Sequence, residues 1–134
     1  MQGISGQHVS QPTPLTPFKL GTFSAAGCAP FGGLIVDERV LAFNALGDFL
    51  HRERLDFRSD GSTLSVLDAW ESNFPVLQRV ADALHDGRDA ALAAASAPLA
   101  ALMLHAPVAS RNVICSGANY FKHVVDLVLR SLRP

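Results

Sequence analysis

His123 and Asp126 stand three residues apart in the run Asn112-Val113-Ile114-Cys115-Ser116-Gly117-Ala118-Asn119-Tyr120-Phe121-Lys122-His123-Val124-Val125-Asp126. On a helix that interval puts both side chains on one face. A carboxylate beside an imidazole fixes its tautomer and raises its basicity, as a water-activating general base requires. The same residues also read as plain surface. Asn119, Lys122, His123, Asp126 and Arg130 trace a polar stripe; Phe121, Val124, Val125, Val128 and Leu132 trace an apolar one. The solvated face of an amphipathic helix accounts for that pattern with no chemistry at all.

Other reactive types offer less. Cys115 near His123 suggests a nucleophile and its base, but a cysteine inside an apolar run is more often packed and inert. His8, His51, His85 and His105 are scattered and show no metal-ligand spacing. Asp82, Asp86 and Asp89 recur at helical intervals near Gly87 and read as solvated. Gly32-Gly33 is not a phosphate loop, because no helix with Lys and Ser/Thr follows it. Trp70 reads as core rather than as a stacking platform.

The elements that must position these groups follow from hydrophobic pattern. Met1 to Pro17 lacks periodicity and reads as a mobile tail, 1–17. Phe18 to Phe23 alternates apolar and polar side chains, as a strand does. Gly33–Val36 and Val40–Phe43 flank Asp37-Glu38-Arg39 and predict a hairpin of unclear turn type, since the link has neither Gly nor Asn. Arg52 to Thr63 reads as a charged loop. Ser65 is a candidate cap for a helix carrying Leu67, Trp70 and Phe74. Pro75 is expected to end it and start a second, with Val76, Leu77, Val80, Ala83 and Leu84 inward, Gln78, Arg79 and Asp82 outward, and Gly87 as terminator. Ala90–Ala97 is a short helix or a linker, and Leu99–His105 a strand or a helical turn. Val113-Ile114-Cys115 predicts a buried strand leading into a helix from about Asn119 to Leu132.

Composition bounds the function. The 134 residues are 49% hydrophobic and 17% charged, with a net charge of −1. That chain can bury a core and has no electrostatic footprint for nucleic acid. Its lysines, Lys19 and Lys122, make no polybasic membrane anchor. No stretch reaches the ~18 apolar residues of a membrane span, and no secretory signal is readable. Two distant cysteines, Cys28 and Cys115, suit reduced thiols, so a cytoplasmic location is expected.

Taken together, Phe18–Phe23, the hairpin Gly33–Val40, Pro107-Val108 and above all Ile114-Cys115-Ser116-Gly117-Ala118-Asn119-Tyr120 with His123 resemble the fumarylacetoacetate hydrolase family. The similarity runs from about Phe18 to about Val128. It implies an α+β fold: a small N-terminal domain (18–106) with a hairpin and two to three helices, then the incomplete start of a mostly β catalytic domain (107–134). It also implies Mg²⁺, or Mn²⁺ or Ca²⁺, chelating a 1,3-dicarbonyl or 2-oxo acid substrate whose carbon–carbon bond is cleaved; some branches decarboxylate, hydrate or isomerise. A hard cation on two oxygens stabilises the enolate leaving group while a base delivers water to the carbonyl. By resemblance His123 is that base, Asp126 its orienting carboxylate, and Gly117, Asn119 and Tyr120 shape the start of the helix.

Two departures bear on activity. The family usually carries Glu where this chain has Asp126, which is one methylene shorter. The family's metal ligands, a Glu-x-Glu pair among them, lie well downstream of the motif, and after His123 only Asp126 is acidic here. The chain is therefore expected to be inactive alone, as a truncated frame, a deliberate piece or half of a split protein. A non-catalytic binding or oligomerisation module, such as a homodimer formed through the apolar stripe of the last helix, is the alternative. A non-functional truncation product is the third reading.

Overall fold

The computed structural model describes residues 14–114, 125–126 and 128–130. Among these, β1 (Lys19–Ser24), β2 (Phe31–Val36), β3 (Arg39–Ala42), β4 (Ala97–Pro98) and β5 (Met103–His105) form one antiparallel sheet in the order β4-β3-β2-β1-β5. The helices are α1 (Gly47–Glu53), α2 (Thr63–Asp68), α3 (Trp70–His85) and α4 (Ala90–Ala95), giving a mixed α+β fold. Among the described residues no helix is long and apolar enough to cross a membrane.

The expected hairpin forms, and its link is a two-residue turn. Val36 pairs with Arg39, while Asp37 (φ 46°) and Glu38 (φ 63°) both take the left-handed region. That is the type I′ geometry that suits strand twist and favours Asn-Gly. The register then dictates the faces. Leu34, Val36 and Leu41 point to one side and pack with Leu77, Val80, Ala81 and Leu84 of α3. Phe23 points to the other side yet is fully buried, with its ring lying over β1 and β2. A Cβ at Gly21 would come within 2.6 Å of that ring, so glycine there is a packing requirement.

The short link from β4 to β5 makes the sheet curl. Leu99–Ala101 is a 3₁₀ turn, and Met103 already lies on the opposite edge from Pro98. In a flat sheet those edges would stand about 19 Å apart at ~4.8 Å per strand. A 3₁₀ turn rises only ~2 Å per residue, so the edges must approach one another.

The helices differ from expectation in instructive ways. α1 was not expected. No side chain caps its N-terminus, and its left-handed C-terminal position is held by Arg54 (φ 54°) where glycine is usual. The cap of α2 is Ser62 rather than Ser65: the Ser62 hydroxyl accepts from the Ser65 N–H at 3.1 Å, and the Ser65 hydroxyl donates back to the Ser62 carbonyl. Pro75 does not divide the helices. The break falls at Ala69 (φ −113°, ψ 34°), and α3 runs through the proline. Pro75 follows the first turn closely, so it forfeits a single helical hydrogen bond, to Glu71.

Three polar residues expected to be solvated, Gln78, Asp82 and Asp89, are structural. Gln78 is buried and donates to the Thr16 carbonyl (3.0 Å) and to Asp82 (3.1 Å), while the Thr16 N–H donates to Asp82 (3.3 Å). Thr16 itself is buried, so the folded body begins before the expected boundary at residue 17. Asp82 is held below the usual carboxylate range, chiefly by its hydrogen bonding with Thr16. Asp89 caps α4, accepting from the Ala91 and Leu92 N–H groups at 3.0 Å each, and pairs with Arg52.

Other expectations hold. Gly87 (φ 64°) ends α3: its N–H reaches the Leu84 carbonyl and the Arg88 N–H reaches Ala83. Trp70 packs on the core, its ring tilted against that of Phe74 with centroids 5.2 Å apart. Leu99–His105 supplies both forms left open for it, a 3₁₀ turn and then a strand.

Candidate functional site

His123, Gly117, Asn119, Tyr120 and Cys115 lie outside the described residues. Asp126 is described, in a helical stretch at residues 125–126 and 128–130, and is exposed. Val113 and Ile114, expected in a buried strand, are 78% and 94% exposed and are not in a strand. A strand needs a neighbour for its N–H and C=O groups, and no described strand pairs with them.

A partly polar concavity lies where the chain leaves the sheet. It is a cleft of about 680 Å³ between β1, the loop before α2 and the segment after β5, lined in part by Thr22, Asn44, Asp60, Thr63, His105 and Pro107. Backbone fit builds its floor. The Gly32 N–H donates to the Gly61 carbonyl at 2.8 Å, and a Cβ on Gly32 would sit 2.6 Å from the Thr63 nitrogen. Gly61 (φ 93°) allows that approach.

Most polar groups of the cleft are already committed. Thr22 donates to the Pro107 carbonyl at 2.7 Å and Thr63 to the Gly21 carbonyl at 2.8 Å. Each hydroxyl carries one proton, so their 3.1 Å mutual contact competes with those bonds. Ser24 and His105 Nε2 share a hydrogen bond of 2.8 Å. A serine–histidine pair suggests a nucleophile and base, but Ser24 is buried and does not line the cleft. These bonds fasten residues 105–107 to β1. Asp60 is the exception in charge: hydrogen bonds from Ser62 first, then Ser65, push its pKa down to about 2. It therefore stays ionised through the physiological range.

Sequence reasoning missed this seam. In the sequence His105 is one of several scattered histidines, and Thr22 and Thr63 carry no signal. Thr22 faces His105 only through a strand pairing that spans 83 positions. Such proximity leaves no local trace.

The divalent ion implied by the resemblance finds no fit among the described residues. Mg²⁺ and Ca²⁺ take about six or more oxygen ligands, usually with two or more carboxylates. Among the described residues no group of three His, Cys, Asp or Glu side chains could hold a metal. Among the described residues Asp60 is the only carboxylate lining the cleft, and it is engaged by Ser62. No family model, no curated protein and no solved structure matches the chain.

Proposed function

We propose that this chain is the N-terminal part of a fumarylacetoacetate-hydrolase-like enzyme. In this reading its fold anchors the segment that carries the general-base motif. One observation carries the proposal: the Thr22–Pro107 bond at 2.7 Å, backed by Ser24–His105 at 2.8 Å, fixes the chain just before Asn112–Asp126. A base positioned off a rigid sheet loses less alignment than one on a free loop. His123 is then the base and Asp126 its orienting carboxylate; Gly117, Asn119 and Tyr120 shape the turn into the helix. The helical placement of Val125 and Asp126 is consistent with that geometry. A Mg²⁺, Mn²⁺ or Ca²⁺ site and the grip on a 1,3-dicarbonyl or 2-oxo acid substrate belong to residues beyond this sequence.

The experiment pairs two readings of the same material. The purified 134-residue chain is assayed with acylpyruvates and Mg²⁺, and the source DNA is translated past the Pro134 codon. No metal-dependent turnover is expected, together with a downstream Glu-x-Glu in frame or after one shift. Turnover that EDTA abolishes, or absence of that segment in every forward frame, overturns the proposal.

A second reading draws on exposed apolar side chains. Met103 (64%) and Leu104 (67%) of β5, and Val113 and Ile114 beyond it, are exposed apolar side chains. Exposed apolar surface of this kind favours association, here a homodimer. A monomer by sedimentation with no dye-accessible apolar surface rules it out.

A further inference from the structure

The β2–β3 turn meets three other parts of the fold. Asp37 Oδ2 lies 2.5 Å from His85 Nδ1, at the end of α3. The Glu38 carbonyl accepts from the Leu99 N–H at 2.8 Å, which holds the link that closes the curled sheet. Asp37 and Glu38 also rim an apolar groove of about 520 Å³ lined by Phe18, Ile35, Leu99 and Leu104. The turn is itself strained, with two non-glycine residues at positive φ.

We propose that Asp37 and His85 form a pH-sensitive clip that fastens this turn, and through Glu38 the Leu99 link, to the end of α3. Protonated imidazole donates to the carboxylate and adds charge attraction; neutral imidazole keeps at most the hydrogen bond. Both side chains are more than half exposed, at 51% for His85 and 61% for Asp37, so the clip adjusts local opening and leaves global folding to the core. The charged groups around it bias it consistently. From the turn come Asp37 and Glu38; from α3 comes Asp82 and from its C-cap Asp86; Arg88 follows and is taken up by Asp86 at 2.7 Å. Lys19 of β1 also lines the groove. The proline-rich stretch Pro14–Pro17 beside His85 brings no charge.

The direction follows from linkage. The hydrogen bond to Asp37, then its charge, raise the His85 pKa above 6.5, with smaller contributions from Asp86 and Asp82. A raised folded-state pKa means the clip is complete below 6.5 and is lost as pH rises through the higher value.

Two measurements on the intact chain test this. NMR titration follows the His85 ring in the wild type and in Asp37→Asn. Amide exchange follows the protection factor of Leu99, which removes the intrinsic pH dependence of exchange. The expected result is a His85 midpoint above 6.5 that falls in Asp37→Asn, and Leu99 protection that drops roughly two- to fivefold as the wild type is titrated upward. Asparagine suits the left-handed position at least as well as aspartate, so Asp37→Asn keeps the turn while removing the charge. In His85→Gln the pH step in protection should vanish. An unchanged midpoint in Asp37→Asn, or a pH step that persists in His85→Gln, overturns the proposal.

Discussion

The two sides of the sheet, its centre and its β1–β5 edge, are held by different physics. Toward α3, the sheet is secured by apolar burial: Leu34, Val36 and Leu41 meet Leu77, Val80 and Ala81, each at most 2% exposed. Toward the chain's exit, β1 is secured by hydroxyl and imidazole bonds from Thr22 and Ser24. Burial is non-directional and adds with area. Hydrogen bonds are directional and contribute modestly net of water. The first side therefore sets stability, while the second sets where the following segment points.

The largest effect should come from the apolar side. Leu77→Ala removes a fully buried side chain from the centre of the cluster. It should cost about 2–5 kcal/mol, read from urea or thermal unfolding. If Thr22→Val proved as costly, the contrast between the two sides would collapse. Gly32→Ala comes next. Its new methyl group would press on the Thr63 nitrogen, the Gly61 carbonyl at 2.8 Å and the Phe43 ring at 2.8 Å, and two of those atoms are backbone. About 1–3 kcal/mol is expected, with disturbed exchange in the loop before α2.

The apolar side was also the legible one. The alternation in β1, the hairpin and the inward positions Val76, Leu77, Val80 and Leu84 are all readable from periodicity, because burial on a strand or helix repeats at fixed intervals. The break at Ala69 was not readable. It is set by docking of α2 and α3, with Asn73 fully buried and bonded to Arg58 and Val66, and tertiary contacts of that kind override a local proline signal. Helix α1 escaped because its ends use Leu46 and Arg54, types that announce no cap. The cleft was illegible for a different reason. Its groups come from positions 22, 63 and 105–107, joined only by strand pairing and loop approach. Of the predicted site residues, Asp126 alone falls within the described chain.

A smaller effect is expected at the polar seam. Thr22→Val keeps the shape but removes the donor to Pro107 and the contact with Thr63. The Pro107 bond is exposed, so water replaces the lost partner. About 0.5–1.5 kcal/mol is expected. The informative readout is local: exchange and NMR shifts should change across 105–114 while the α3 amides stay protected. Uniform loss of protection would mean that the seam belongs to the same cooperative unit as the core.

The smallest effect has the opposite sign and touches neither side. Glu38→Gly acts at the turn, where the native residue sits at φ 63° with an exposed side chain. A left-handed non-glycine residue carries about 1–2 kcal/mol of strain. Glycine relieves it but adds roughly 0.4–1 kcal/mol of unfolded-chain entropy. The net expectation is stabilisation by about 0.5 kcal/mol, measured as a small rise in unfolding midpoint. The Leu99 N–H bond to residue 38 is a backbone bond and should survive the change. Because this variant alters neither the apolar face nor the seam, it marks the scale against which both are judged. A loss of stability would mean that the Glu38 side chain shields the turn or the groove rim, and the turn would then join the apolar side of the comparison.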